Sequence, residues 1–280
     1  MGNLVYHYTR LNALNSIFKK DGVYLWATRH DYLDDPLEQA WAQEVVLKKI
    51  QEKENFKKLT PEETKMLLEE HPYVLSFCKD EDSRVMWRLY AENGMGAILV
   101  LNRNYLTEMA KKRTKEDPIS KYDVFNDVFY ANENNIDSQI EECLKNVDNK
   151  DFGEENENKW IHACAYIKHD DFQFEKEVRY SIIRSFSHIK VSPNNLTSSQ
   201  CTMKRKEDNK DVLYRMRGEE PIPYLNVKIN PLALKKIIIG YRVKNYDVVE
   251  DYVKKLLSAF GNTYKNVDIV PSSVLYKMKK

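Results

Sequence analysis

Three short apolar runs, Tyr73-Val74-Leu75-Ser76-Phe77-Cys78, Ala97-Ile98-Leu99-Val100-Leu101 and Lys236-Ile237-Ile238-Ile239-Gly240, constrain the fold of this chain more than any other feature. They have strand length rather than helix length. Successive side chains of a strand point to opposite faces, so a run that is apolar at consecutive positions buries both. Such strands belong in the middle of a sheet covered on each side. Around them lie an alternating run, Tyr224 to Ile229, and stretches of helical spacing: Leu37, Trp41 and Val45, then Met86, Trp87, Leu89 and Tyr90 facing inward, then Val249, Tyr252, Val253 and Leu256. Strands and helices are mixed without strict βαβ alternation and several strands come late, which predicts an α+β fold with a mixed sheet.

The remaining elements follow from local signals. Leu4 to Thr9 reads as an opening strand, Leu11, Leu14, Ile17 and Phe18 as a helix, and Asp21-Gly22 as a turn into the strand Tyr24 to Thr28. Asp35-Pro36-Leu37-Glu38 has an acceptor at the N-cap, proline at the first helical position and Glu at the third. A second helix starts at Thr60-Pro61, Trp160, Cys164 and Ile167 mark the inner face of a later one, and Glu177 to Ile183 and Asp268 to Val270 are strands. The 280 residues suffice for one or two domains. With no repeat and no clean linker, residues 1–280 are expected to form a single domain, with an acidic helical insertion around 132–168 and a polar loop around 192–210.

Lys and Arg total 44 against 43 Asp and Glu, so no global field holds nucleic acid or an anionic membrane. Cys78, Cys143, Cys164 and Cys201 form no Cys-x-x-Cys pair and follow no secretory signal, which predicts thiols in the cytoplasm. No window reaches the roughly 18 apolar residues of a membrane span. The chain lacks the phosphate loop Gly-x-x-x-x-Gly-Lys-Ser/Thr, the dinucleotide fingerprint Gly-x-Gly-x-x-Gly and the nucleophile elbow Gly-x-Ser-x-Gly. Its histidines never pair with Cys or Glu at metal spacing, so no metal is expected.

Two stretches carry polar groups where a core would prefer none. In the opening strand His7 and Thr9 share a face and suit a ribose or an amide, although a hydrogen-bonded core histidine gives the same pattern. In Phe174-Glu175-Lys176-Glu177-Val178-Arg179-Tyr180, Glu175, Glu177 and Arg179 share a face if the strand extends back that far. Arg179 would hold Glu177 ionised, and the competing account is a surface ladder of ion pairs. Asp35 and Glu38 are explained by capping alone. Tyr32, in the His30-Asp31-Tyr32 loop, suits stacking on a flat heterocycle, while Trp87 and Tyr90 fit a core. Lys204-Arg205-Lys206 reads as a solvated run, able to meet phosphates if it lies near a cleft.

Four ordered motifs, Tyr6-His7-Tyr8-Thr9, Asp34-Asp35-Pro36-Leu37-Glu38, Ser76-Phe77-Cys78 with Met86-Trp87-Arg88-Leu89-Tyr90, and Glu175-Lys176-Glu177-Val178-Arg179, together with Ile237-Ile238-Ile239-Gly240, resemble a family of bacterial proteins of unknown function related to the ADP-ribosyltransferase fold. The resemblance spans almost the whole chain, with Cys78 where relatives have Ser and Asp34 where they have Asn. It implies an ADP-ribosyltransferase-like mixed-sheet core with surrounding helices and NAD as co-substrate. Glu177 becomes the catalytic residue on the 2′-hydroxyl of the nicotinamide ribose, with Glu175 able to activate the acceptor. His7 and Thr9 bind the adenosine-side ribose and Tyr32 stacks on nicotinamide; Tyr8, Asp35 and Arg179 complete the binding set. Relatives linked to abortive infection and toxin–antitoxin systems imply a cytoplasmic toxin of anti-phage defence, with RNA, DNA or protein as acceptor and an inhibitor protein as partner. A local basic surface from Lys204, Arg205, Lys206, Arg215 and Arg217 would permit contact with nucleic acid. The alternatives are an inactive nucleotide- or partner-binding module, and an RNA-end phosphotransferase. The latter needs several basic residues at the cleft, for which Arg179, Arg29 and Arg84 are the candidates.

Overall fold

The computed structural model describes residues 3–33, 36–52, 71–116, 122–145, 161, 163–183 and 211–274. The strands are β1 (Leu4–Thr9), β2 (Phe18–Lys19), β3 (Gly22–Arg29), β4 (Tyr73–Cys78), β5 (Ala97–Asn102), β6 (Tyr122–Asp127), β7 (Phe129–Ala131), β8 (Ile167–His169), β9 (Glu177–Ile183), β10 (Leu213–Arg217), β11 (Glu220–Ile229), β12 (Leu234–Ile239) and β13 (Asp268–Pro271). Most join one sheet in the order β10-β11-β3-β4-β1-β5-β12-β13, with β9 bridging β4 and β6. The β12–β13 pair is parallel and its neighbours are antiparallel, so the sheet is mixed, in keeping with an α+β class.

The apolar runs occupy the positions that their patterns require. In β5, Ala97, Leu99 and Leu101 enter one core while Ile98 and Val100 enter another, and β12 divides Ile237 from Ile238 in the same way. The first core is covered by Leu106 and Ala110 of the helix Arg103–Glu116 and by Val253 and Leu257 of the helix Tyr246–Ser258. The second packs under Met86 and Trp87 of the helix Arg84–Tyr90.

The register opens a cleft in the sheet. Along one edge β4 pairs with β9 over its whole length, from Tyr73↔Ile182 to Cys78↔Glu177. The other edge is divided: β3 takes Tyr73 and Val74, and β1 takes only Cys78. Between those contacts β1 and β3 diverge and leave Leu75, Ser76 and Phe77 without a strand on that side. The sheet therefore forks, and the fork is open.

Several expectations need correction. Leu11–Ala13 is a 3-10 turn and Leu14–Ile17 a single helical turn, because the Asp21-Gly22 reversal draws Phe18 into pairing with Val23. Leu89 and Tyr90 face outward rather than into the core. Ile167 lies in β8 instead of a helix, and Glu175 lies in a 3-10 turn, since Lys176 adopts a left-handed conformation (φ 43°) that starts β9 at Glu177. The helix expected from Thr60, Trp160, much of the acidic insertion and the 192–210 loop lie outside the described residues.

Candidate functional site

The fork opens into a cleft of about 1290 Å³. That exceeds the roughly 300–1,000 Å³ of ordinary small-molecule pockets and suits an extended ligand. One wall is β1, with His7 and Thr9. The divided edge of β4 also lines the cleft, as do Glu38, Lys168, Glu175, Glu177 and Arg179.

His7 is partly exposed and its Nδ1 lies 3.1 Å from the carbonyl oxygen of Ser76, on the unpaired stretch of β4. Burial holds the imidazole below its ordinary pKa against the opposing pull of that carbonyl, so it is neutral near pH 7. A carbonyl oxygen can only accept, so the proton sits on Nδ1 and the Nε2 lone pair remains for a ligand hydroxyl.

The acidic residues that line the cleft belong to a buried ion cluster. Arg179, 1% exposed, donates from Nε and Nη2 to the two oxygens of Glu177 at 2.6 and 2.8 Å, from Nη2 to Glu38, and from Nη1 to the carbonyl of Ala165 at 2.8 Å. Lys168 Nζ reaches Glu175 at 2.6 Å, Glu38 at 2.9 Å and Glu177 at 3.5 Å. The hydroxyl of Tyr90 donates to the second oxygen of Glu175 at 2.6 Å. The Glu177 N–H donates to the Tyr130 hydroxyl at 2.7 Å, which fixes the start of β9.

Burial alone would push both Glu38 and Glu177 up, but Arg179 and Lys168 hold them below the usual carboxylate range. Burial opposes the charge on Lys168 and Arg179 too, and the neighbouring carboxylates raise both above their ordinary values. His30 Nε2 lies 3.4 Å from Arg179 Nη1, its Nδ1 has no hydrogen-bond partner among the described residues, and burial lowers its pKa and keeps it neutral. Among the described residues three carboxyl groups thus share two cationic side chains, one carboxyl in excess.

These directions fix the pH response. Glu38 and Glu177 have folded values below the unfolded 4.5, and His7 and His30 have folded values below the unfolded 6.5. All four bind a proton more readily when unfolded, so their contribution is complete above about pH 6.5 and falls with acidification. Thermal melts from about pH 7.5 to about pH 4 should show a falling Tm, steepest below about pH 4.5; a flat profile would contradict the cluster.

The other sequence candidates separate. Tyr8 borders the cleft, but its hydroxyl donates to the carbonyl of Asp80 at 3.1 Å and accepts from the N–H of Ser83 at 2.7 Å, fastening β1 to the helix Arg84–Tyr90. The ring of Tyr32 is covered by the Arg29 guanidinium at 4.8 Å and does not line the cleft. Asp35 and Lys204-Arg205-Lys206 lie outside the described residues. Arg29 is paired with Asp31 at 2.7 and 2.8 Å, and Arg179 is buried in the cluster. Apart from Lys168 and Arg179 of the cluster, the Lys and Arg residues that border the cleft are Arg10, Arg88, Arg215 and Arg217, and Arg84 is not among them.

Glu38, Lys168 and Tyr90 were not singled out as site residues by sequence reasoning. The capping motif accounted for Glu38, and Tyr90 read as core. Lys168 had one local signal, a charge closing the apolar run Ala163-Cys164-Ala165-Tyr166-Ile167.

Residues 86–180 match DUF2971, a family described as protein of unknown function. The matched stretch contains Tyr90, Lys168, Glu175, Glu177 and Arg179, and leaves β1 and β3 outside it. It is narrower than the span of the motif resemblance and carries no assigned activity. No curated protein and no solved structure matches the chain. Among the described residues no helix is long and apolar enough to cross a membrane.

Proposed function

We propose that the cleft binds NAD and cleaves its nicotinamide–ribose bond, transferring ADP-ribose to an acceptor. The observation that carries this reading is a shared cleft, bordered both by a neutral His7 with a vacant acceptor nitrogen and by a buried cluster with an excess carboxyl. A buried ion cluster is weak evidence for stability, since well-packed apolar residues do as well. Its place on a cleft wall therefore favours a chemical role.

When the bond breaks, nicotinamide leaves with the electron pair and C1′ of the ribose becomes oxocarbenium-like. Preorganised negative charge beside C1′ stabilises that transition state. Glu177, held by Arg179, supplies this charge and accepts the ribose 2′-hydroxyl. In this reading Glu175 takes the proton from an acceptor that attacks C1′. Exposed Arg10 and Arg88, neither of which makes an ion pair among the described residues, suit the pyrophosphate.

The protein incubated with NAD labelled in the nicotinamide ring should release labelled nicotinamide, faster when a cell extract supplies acceptor. Binding without release would leave the nucleotide-binding alternative. The basic cleft border favours one other reading, RNA-end phosphotransfer, whose signature is loss of a terminal phosphate from RNA. The role in anti-phage defence and the inhibitor protein remain part of the proposal that the sequence resemblance suggests.

A further inference from the structure

The face of β3, β10 and β11 that looks away from the core has an unusual composition. Register places Trp26 opposite Asn226, Thr28 opposite Tyr224, Leu213 opposite Tyr224 and Arg215 opposite Ile222, so these side chains share one face. Leu25, Ala27, Leu225 and Val227 project to the other face and are buried. On the outward face Trp26 is 37% exposed and its ring lies 4.9 Å from that of Tyr224. The Arg215 guanidinium lies over Trp26 at 5.0 Å and donates to the Thr28 hydroxyl at 3.0 Å. Arg217, next on that face of β10, donates to the carbonyl of Tyr32 at 3.1 Å. Trp26, Arg215 and Arg217 also border the cleft, so face and cleft are continuous.

Ile222 and Thr28 of this face are buried, but an exposed tryptophan beside a tyrosine, capped by a planar cation, adds nothing to the main core, into which Leu25, Leu225 and Val227 project from the other face. It has the composition of a stacking platform. Every nucleobase has a π-face, and arginine serves both to stack on bases and to pair with phosphates. We propose that this face binds single-stranded nucleic acid, with bases stacked on Trp26 and Tyr224 and the backbone held by Arg215 and Arg217, and leads the strand to the cleft mouth. Duplex is excluded, since paired bases present edges and not faces. The near-neutral whole chain, at a net charge of +1, makes the binding local and dependent on stacking. The site stands whether or not the cleft cleaves NAD; if it does, the bound strand is the acceptor.

Fluorescence anisotropy with a labelled RNA of about 12 nucleotides tests this on the full chain at low salt. The single strand should bind at least about tenfold more tightly than the same sequence as duplex, and Trp26→Ala should weaken it about tenfold. Arg215→Gln should weaken binding too and lower the salt slope by about one. If circular dichroism shows Trp26→Ala to be unfolded, Arg215→Gln and Tyr224→Leu decide. Equal affinity for duplex, no effect of the variants, or competition by poly-glutamate at equal charge would overturn the proposal, the last by pointing to an acidic polypeptide. A mononucleotide that binds as tightly as the oligonucleotide would overturn it also, by reducing the platform to a base pocket.

Discussion

Arg179→Met should destabilise the protein by about 3–5 kcal/mol, with a fall in Tm of roughly 10 °C. Arg179 is wholly enclosed, and its donors serve Glu177, Glu38 and the Ala165 carbonyl together. Its removal leaves Glu38, Glu175 and Glu177 with Lys168 alone, and a buried charge without its partner carries the full desolvation penalty. Arg179→Lys should recover little, because an ammonium cannot make the forked pair of bonds to Glu177 or reach Glu38 with the same head group. Denaturant titration of the two variants checks both statements. A loss below about 1 kcal/mol is the signature of a solvated pair and would contradict the burial of the cluster.

The second large effect is catalytic. Glu177→Gln keeps the size and shape of the side chain; the amide oxygen can accept one of the two bonds from Arg179, and the amide nitrogen replaces the acceptor of the other. The substitution removes the charge beside C1′ together with that one bond. Nicotinamide release should fall by about 10²–10³, the loss seen when one preorganised electrostatic group is taken from a transition state. NAD affinity should stay within a few-fold, since the binding contacts assigned to His7, Arg10 and Arg88 are untouched. Glu175→Gln should cost less and act on transfer to the acceptor more than on hydrolysis. Should Glu175→Gln abolish release while Glu177→Gln retains it, the two carboxylates exchange roles.

How much of this was legible in the sequence depends on how local each signal is. The strand over Tyr73–Cys78 could be placed to the residue, because its apolar side chains fill two cores at once. The helix Arg103–Glu116 went unread, since among its described side chains only Leu106 and Ala110 are buried and the rest carries little apolar period. Strand β10 also escaped: Leu213, Tyr214 and Met216 are all exposed, so no alternation marks it. In the site, His7 and Thr9 could be paired by strand period, and Glu177 with Arg179 likewise. That residues of β1 and β9 border one cleft depends on the divided edge of β4, a tertiary fact with no local trace. Glu38 meets Arg179 and Lys168 across long stretches of chain, and the capping motif had already explained it locally. Tyr32 shows the reverse case, an aromatic well placed by sequence whose ring is already occupied by Arg29.

The proposed chemistry requires a dinucleotide bound in the cleft that β1 and β9 border. Diffraction from crystals grown with a non-cleavable carba-analogue of NAD measures this directly. The nicotinamide ribose should lie between His7 and Glu177, with its 2′-hydroxyl roughly 2.6–3.2 Å from a Glu177 carboxylate oxygen. Density for the analogue on another surface, or a cleft that stays empty at saturating concentration, would contradict it.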